Sequence, residues 1–343
     1  MAYTTIDKPT DYFNTVLYTG NGSSGRGVTG VGFSPNWVWI KNRGTTGNHQ
    51  TFDTIRGVTN TLQPDRDITE TAVASMLTAF DSDGFTVGDH SGVNDNTNTY
   101  VSWNWLAGGT SSSNTDGSIT STVSANTTAG FSIVSYTGTG SAATIGHGLS
   151  ATPKVVIVKR RTGGTNNWRV QHESLGATKA LDLDNNAVAN TASGNWNDTA
   201  PTSSVFSVGT FSATNNNTDT FIAYCFAEKK GYSKFGSYTG NGSTDGTFVY
   251  TGFKPSLIIT RNTGGDNWMM VDNKRGSINL IDEVIFSDLD QAEVSTNACD
   301  FTANGFKART TSTWINASGG TYIYMAFAEN PFVTSTGIPT TAR

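Results

Sequence analysis

Two segments of the chain pair a glycine turn with a tryptophan and polar neighbours. Thr162-Gly163-Gly164 precedes Asn167-Trp168, and Thr263-Gly264-Gly265 precedes Asp266-Asn267-Trp268. A tryptophan held out by a glycine loop offers its ring to the C–H face of a sugar, and Asn and Asp side chains hydrogen-bond hydroxyls. Trp168, Asn167, Trp268, Asn267 and Asp266 are therefore the candidate glycan contacts. A core anchor is the competing and commoner role for a recurring tryptophan.

A second constellation is Asp53-Thr54-Ile55-Arg56-Gly57, which returns as Asp272-Asn273-Lys274-Arg275-Gly276. Such an Asp–Arg pair either braces its own loop or binds a ligand. The middle of the chain carries His172 in this register, so no acid pair recurs for glycoside cleavage.

Nucleophilic hydrolysis needs an activated Ser or Cys, and no serine sits in a GxSxG elbow. His49, His90, His147 and His172 are scattered without HExxH spacing. Asp81-Ser82-Asp83-Gly84 and Asp182-Leu183-Asp184-Asn185 place oxygen ligands at alternate positions, yet neither continues into a calcium loop with a terminal Glu. Cys225 and Cys299 lack metal-ligand spacing and read as two free, buried thiols. The expectation is a chain with no catalytic, cofactor or metal residues.

These residues sit in a threefold repeat. Tyr18-Thr19-Gly20-Asn21-Gly22 returns as Tyr136-Thr137-Gly138-Thr139-Gly140 and as Tyr238-Thr239-Gly240-Asn241-Gly242. Gly32-Phe33-Ser34-Pro35, which leads into Trp37-Val38-Trp39-Ile40, returns as Gly252-Phe253-Lys254-Pro255 before Leu257-Ile258-Ile259, and more loosely around Pro153. Each unit closes on an aromatic, β-branched block: Thr99 to Trp105, Thr220 to Phe226, Thr321 to Phe327. Tyr18 to Tyr136 and Pro35 to Pro153 both span 118 residues, and the next copies of both lie 102 further on. A shared register of this kind is the mark of internal repetition.

Proline lacks a donor and is tolerated at a strand's first position. Lys154-Val155-Val156-Ile157-Val158 is apolar on both faces and so reads as a central strand. The Tyr-Thr-Gly block reads as a strand running into a glycine-dependent turn. The whole predicts an all-β chain of three tandem β-sandwich or jelly-roll-like repeats, with one short helix over 67–77. Residues 1–107, 118–228 and 234–332 are the repeats. Residues 108–117 read as a flexible linker, 229–233 as a short joint and 333–343 as a tail.

Composition narrows the partners. Charged residues make up only 14%, but 11% aromatics supply the burial that a disordered chain lacks. With a net charge of −5 and 22 Lys plus Arg in no dense run, nucleic acid is excluded as a partner. No stretch approaches the roughly 20 apolar residues of a membrane span, and the N-terminus has no basic region followed by an apolar core. Synthesis in a cytoplasm without membrane insertion is expected.

Taken together, Asp11-Tyr12-Phe13-Asn14-Thr15-Val16-Leu17-Tyr18-Thr19-Gly20-Asn21-Gly22, the Gly-Phe-x-Pro blocks and Gly231 to Gly242 resemble the repeated β-rich domain of bacteriophage tail-fibre and virion-surface proteins, especially marine and cyanophage-type ones. The resemblance spans essentially the whole chain. It implies a non-enzymatic virion structural protein, located on the particle, with other tail or capsid proteins, copies of itself and host-surface glycan as partners. Long phage fibres often carry a coiled-coil shaft, and no sustained heptad is present here. A short fibre, a tail-tip adhesin and a capsid decoration protein all remain open. From other classes, a polysaccharide depolymerase and a secreted carbohydrate-binding module compete.

Overall fold

The computed structural model describes residues 3–276 and 279–340. Each repeat builds an inner antiparallel sheet in one strand order. In the first repeat the order is Phe13–Thr19, Thr99–Trp105, Trp37–Asn42, Gln50–Asp53. In the second it is Phe131–Thr137, Thr220–Phe226, Val155–Arg160, Arg169–His172, Lys179–Asp182. The third follows with Ser233–Thr239, Thr321–Pro331, Phe253–Asn262, Met269–Asp272, Ile281–Phe286. The closing block is thus a central strand, flanked by the Tyr-Thr-Gly strand and the proline-led strand.

A second layer covers the outer face of each inner sheet, built on Arg26–Thr29, Ala143–Gly146 and Phe248–Tyr250; in the third repeat it is continuous with the inner sheet through Ile281–Phe286 and Val294–Thr302. The chain is all-β with sandwich-like units, as the alternation implies. Cys225 and Cys299 are free and buried in the outer layers of the second and third repeats.

Side chains alternate across a strand, so an inner sheet that is apolar on both faces must bury both. On the closing strand of the second repeat, Phe221, Ala223 and Cys225 face that repeat's own outer core, while Ile222, Tyr224 and Phe226 face the other way. The same split places Val101, Trp103 and Trp105 of the first repeat and Ile323, Met325 and Phe327 of the third on the inward side. Those inward faces meet in one core to which all three repeats contribute.

Here the structure corrects the expectation of three tandem repeats separated by a flexible linker and a short joint. The repeats close around a common centre because each carries a second apolar face that none can bury alone. At that centre the last residues of the closing blocks form a triangle. Trp105 and Phe327 are 5.7 Å apart, Phe226 and Phe327 5.8 Å, and Trp105 and Phe226 6.5 Å, centroid to centroid. Trp37 stacks beside it on Trp105 at 4.4 Å and on Tyr224 at 4.2 Å.

Residues 108–117 are not a free tether either. Ser112–Asn114 pairs with Ser121–Asn126, and Ile119 then bridges in parallel to Ile145 on the edge of the second repeat's outer sheet. No helix forms over 67–77. Glu70 is bound by Arg56 and Arg161, and Thr71–Ala72 makes a short strand with Asn60–Thr61.

The Tyr-Thr-Gly turn is the most regular local feature. Gly22, Gly140 and Gly242 have φ of 65°, 71° and 66°, the left-handed region that glycine enters without penalty. Above each turn a buried asparagine, Asn94, Asn215 or Asn316, accepts the backbone N–H of residue 21, 139 or 241 at 2.8–3.0 Å. The tyrosine before the turn donates its hydroxyl to a carbonyl beside that asparagine in every copy, at 2.6–2.8 Å.

Candidate functional site

The chemically capable residues collect where one repeat meets the next. Trp168 is 1% exposed and donates its indole N–H to the Gln63 carbonyl of the first repeat at 2.9 Å. Trp268 is 2% exposed and donates to the Asp182 carbonyl of the second repeat at 2.7 Å. His49, in the same register, directs Nε2 at the Phe286 carbonyl of the third repeat at 3.1 Å. Each repeat thus reaches one neighbour in a closed cycle.

The glycan-platform expectation for Trp168 and Trp268 is corrected by this burial, since neither ring has a face open to a sugar. Asn167 is turned to its own repeat and donates to Asp182 at 2.8 Å. Asp266 accepts the Asn267 N–H at 2.7 Å, within its own loop.

The Asp–Arg blocks occupy the same seams. Asp53 accepts from Arg56 and also from the Tyr224 hydroxyl of the second repeat at 2.8 Å. Asp272 accepts from Arg275 at 2.6 Å and from the Trp103 indole of the first repeat at 3.0 Å. All four charged side chains are 0% exposed. A second carboxylate extends each pair: Glu70 joins Arg56 to Arg161 of the second repeat, and Glu293 joins Arg275 to Arg43 of the first. Arg161 and Arg43 grip their glutamates through Nε and Nη2, a two-pronged fit.

The seam between the second and third repeats lacks this ladder, and the closing strands show why. Tyr224 and Trp103 each bring a side-chain donor, which an aspartate can accept. Met325 stands at their position in the third repeat and has none, so an aspartate facing it would be a buried charge without a partner. His172 takes the place and directs Nε2 to the Tyr324 carbonyl at 3.2 Å.

Sequence reasoning missed a third set of joint residues. Lys41, Lys159 and Arg261 follow the 118- and 102-residue offsets and are each 0% exposed. Burial pushes the two lysines down to about 8 and Arg261 down to about 10. Beside them, burial raises Asp65 and Asp184 to about 7 and Asp288 to about 6. These carboxylates accept the backbone N–H of His49, Trp168 and Trp268 in turn. Extending the register past the obvious blocks would have found Lys41, Lys159 and Arg261; the acids, 119 and 104 residues apart, fall outside it.

The Asp81-Ser82-Asp83-Gly84 segment is a hairpin turn whose Asp83 accepts the Gly30 and Gly32 N–H groups. Among the described residues no cluster of three His, Cys, Asp or Glu is placed to hold a metal ion.

The joints bind the three repeats into a single unit, and the unit of relationship has the same extent. One family, described as a domain of unknown function (DUF7483), matches residues 8–331, which takes in all three repeats. The chain belongs to the DUF7483 family. No curated protein and no solved structure matches it.

On the outer sheet of the third repeat two aromatic side chains stand open to solvent. Phe248 and Tyr250, on the edge strand of the third repeat's outer sheet, are 46% and 53% exposed. The equivalent outward positions are Gly27 and Thr29 in the first repeat and Thr144 and Gly146 in the second.

The histidine joints make stability depend on pH. His172 accepts the Ser174 N–H on Nδ1 and directs Nε2 at a carbonyl, a pair of bonds that only the neutral ring protonated on Nε2 can make. Burial lowers its pKa from 6.5 to about 4. A depressed histidine contributes stability that is complete above the ordinary value and is lost as pH falls toward the folded one, at about 1.4 kcal/mol per pH unit. The raised carboxylates Asp65, Asp184 and Asp288 act in the opposite sense, so the comparison needs a variant. His172→Gln keeps a donor and an acceptor without the charge change. Between pH 6.5 and 4, urea unfolding of the wild type is expected to lose stability more steeply than H172Q by about that slope; parallel profiles would contradict it.

Proposed function

We propose that the chain is a non-enzymatic structural protein of a bacteriophage particle, displayed on its surface in contact with other virion proteins, copies of itself and host-surface glycan. The observation that supports this best is the placement of the chemically capable residues. The Asp–Arg pairs, the histidine joints and the recurring tryptophans are buried against one another and join three repeats into one body, a use that favours durability and display over turnover. The exposed pair Phe248 and Tyr250 gives that body an outward apolar contact that its sister repeats lack.

Labelled antibody against the chain, imaged on purified phage particles, tests the reading. Label on the tail is expected for an attachment protein, and label on the head assigns it to capsid decoration. Particles that carry no label contradict the virion reading. In parallel, reducing ends released from host surface polysaccharide over time would overturn the non-enzymatic reading in favour of a depolymerase.

A further inference from the structure

The outer layers of the second and third repeats end on equivalent strands, but only one of those edges is covered. In the second repeat the Ile119 N–H donates to the Thr144 carbonyl at 3.0 Å, and the Ser121 hydroxyl donates to the Gly146 carbonyl at 2.8 Å. The covering residues belong to 106–130, the stretch that leads from the last strand of the first repeat to the first strand of the second. Only 227–232 leads from the second repeat to the third, and it is held at the joint: the Ala227 N–H donates to Gly130 and the Tyr232 N–H to Lys229. Among the described residues, therefore, no strand pairs with the outer side of Phe248–Tyr250.

Backbone groups alternate in direction along an antiparallel strand. Thr247 accepts the Ala308 N–H and Thr251 donates to the Asn304 carbonyl, so these residues face Gly305–Ala308. Phe248 and Tyr250 then turn their N–H and C=O groups to the open side, as Thr144 and Gly146 do beneath Ile119 and Ser121. An open edge is a template for another strand, and protected edges carry charge or proline. Gly246-Thr247-Phe248-Val249-Tyr250-Thr251-Gly252 carries neither. The first repeat's edge strand, also open on one side, holds Arg26 and the small Gly27 and Thr29 instead. The third-repeat segment also reads alike in both directions, with Phe and Tyr exchanged. Turned antiparallel to itself about Val249, it sets Gly246 against Gly252, Thr247 against Thr251 and Phe248 against Tyr250. No like charges meet, and the aromatic and threonine pairs are favourable cross-strand neighbours.

We propose that Phe248–Tyr250 pairs antiparallel with the same strand of a second copy of the chain, about a twofold axis at Val249. Phe248 of one copy exchanges N–H and C=O bonds with Tyr250 of the other, and their exposed rings lie side by side on the outer face. A twofold contact of this kind is self-complementary and closed, so it ends at a dimer rather than a fibre. The strand is short, which keeps the contact weak. The proposal deepens the contact between copies named in the proposed function and rests on that element of it alone.

Sedimentation velocity of the full chain, from micromolar to roughly millimolar concentration, tests it. The wild type is expected to shift from monomer toward dimer with a Kd on the order of 100 µM, the weak range of small contacts. F248E/Y250E sets like charges against each other across the axis and should weaken association at least tenfold, with wild-type melting because both side chains stand in solvent. F248E/Y250K sets opposite charges against each other at the same two places and should recover association, more at low salt than at high. A wild type that stays monomeric throughout overturns the proposal, as does association that F248E/Y250E leaves unchanged. Recovery no better in F248E/Y250K than in F248E/Y250E overturns the antiparallel register and the proposal with it. A monomer whose Phe248 and Tyr250 NMR signals shift with host polysaccharide gives the surface to glycan instead and equally overturns self-pairing. Particle labelling decides the virion reading separately.

Discussion

Trp37→Ala is expected to destabilise the entire chain by about 3–5 kcal/mol, the range for removing a large buried aromatic. Trp37 is 2% exposed and belongs to the first repeat, but it stacks on Tyr224 and Phe131 of the second as well as on Trp105 of its own. The cavity it leaves opens beside the central triangle, where no single repeat can collapse to fill it. Fluorescence of other tryptophans, far-UV circular dichroism and protease resistance should therefore shift together to lower denaturant. A loss confined to the first repeat, with residues 118–332 still protected, would contradict the expectation. An outer-core change such as Phe85→Ala should cost a similar amount, because Phe85 is 0% exposed, yet it removes packing within one repeat only.

Asp53→Ala is the second large effect, at about 3–5 kcal/mol. It leaves the Arg56 guanidinium buried with only Glu70 as counter-charge and strips the Tyr224 hydroxyl of its acceptor. The size comes from the stranded partner rather than from the worth of the ion pair, and this distinguishes it from the exposed Lys8–Asp11 pair, for which about 0–1 kcal/mol is expected. Tyr224→Phe removes the donor from the other side of the seam. In that background Asp53→Ala should cost less, and the difference, measured by urea unfolding of the four proteins, reads the coupling across the seam. Strict additivity would mean that the hydrogen bond contributes nothing between repeats.

Several of these relations were legible in the chain itself. The 118- and 102-residue offsets located the three copies, and Val155-Val156-Ile157-Val158, apolar at every position, announced a strand buried on both faces. The Tyr-Thr-Gly blocks announced the turns that Gly22, Gly140 and Gly242 make. What pattern alone did not reveal was the destination of the second face. A strand pattern states that a face is buried but not against what, and the partners of Trp105 lie at Phe226 and Phe327, more than a hundred residues away.

Pattern leaves the two roles of the tryptophans, core anchor and glycan platform, undivided for a related reason. A Trp behind a glycine loop looks the same whether the loop faces solvent or a neighbouring repeat. Only the carbonyls of Gln63 and Asp182 decide the matter for Trp168 and Trp268. The exchange of Asp53 and Asp272 for His172 has no visible reason within a single repeat. It becomes intelligible once each is set against its partner across the seam: Tyr224 and Trp103 offer a donor and Met325 does not.

Closure of three repeats around one core is the central claim, and differential scanning calorimetry of the full chain measures it most directly. One heat-absorption peak is expected, with a calorimetric enthalpy equal to the van't Hoff enthalpy, because no repeat can lose its inward face without exposing the other two. Two or three resolved peaks, or a calorimetric enthalpy two- to threefold larger than the van't Hoff value, would show repeats that melt independently and would contradict it.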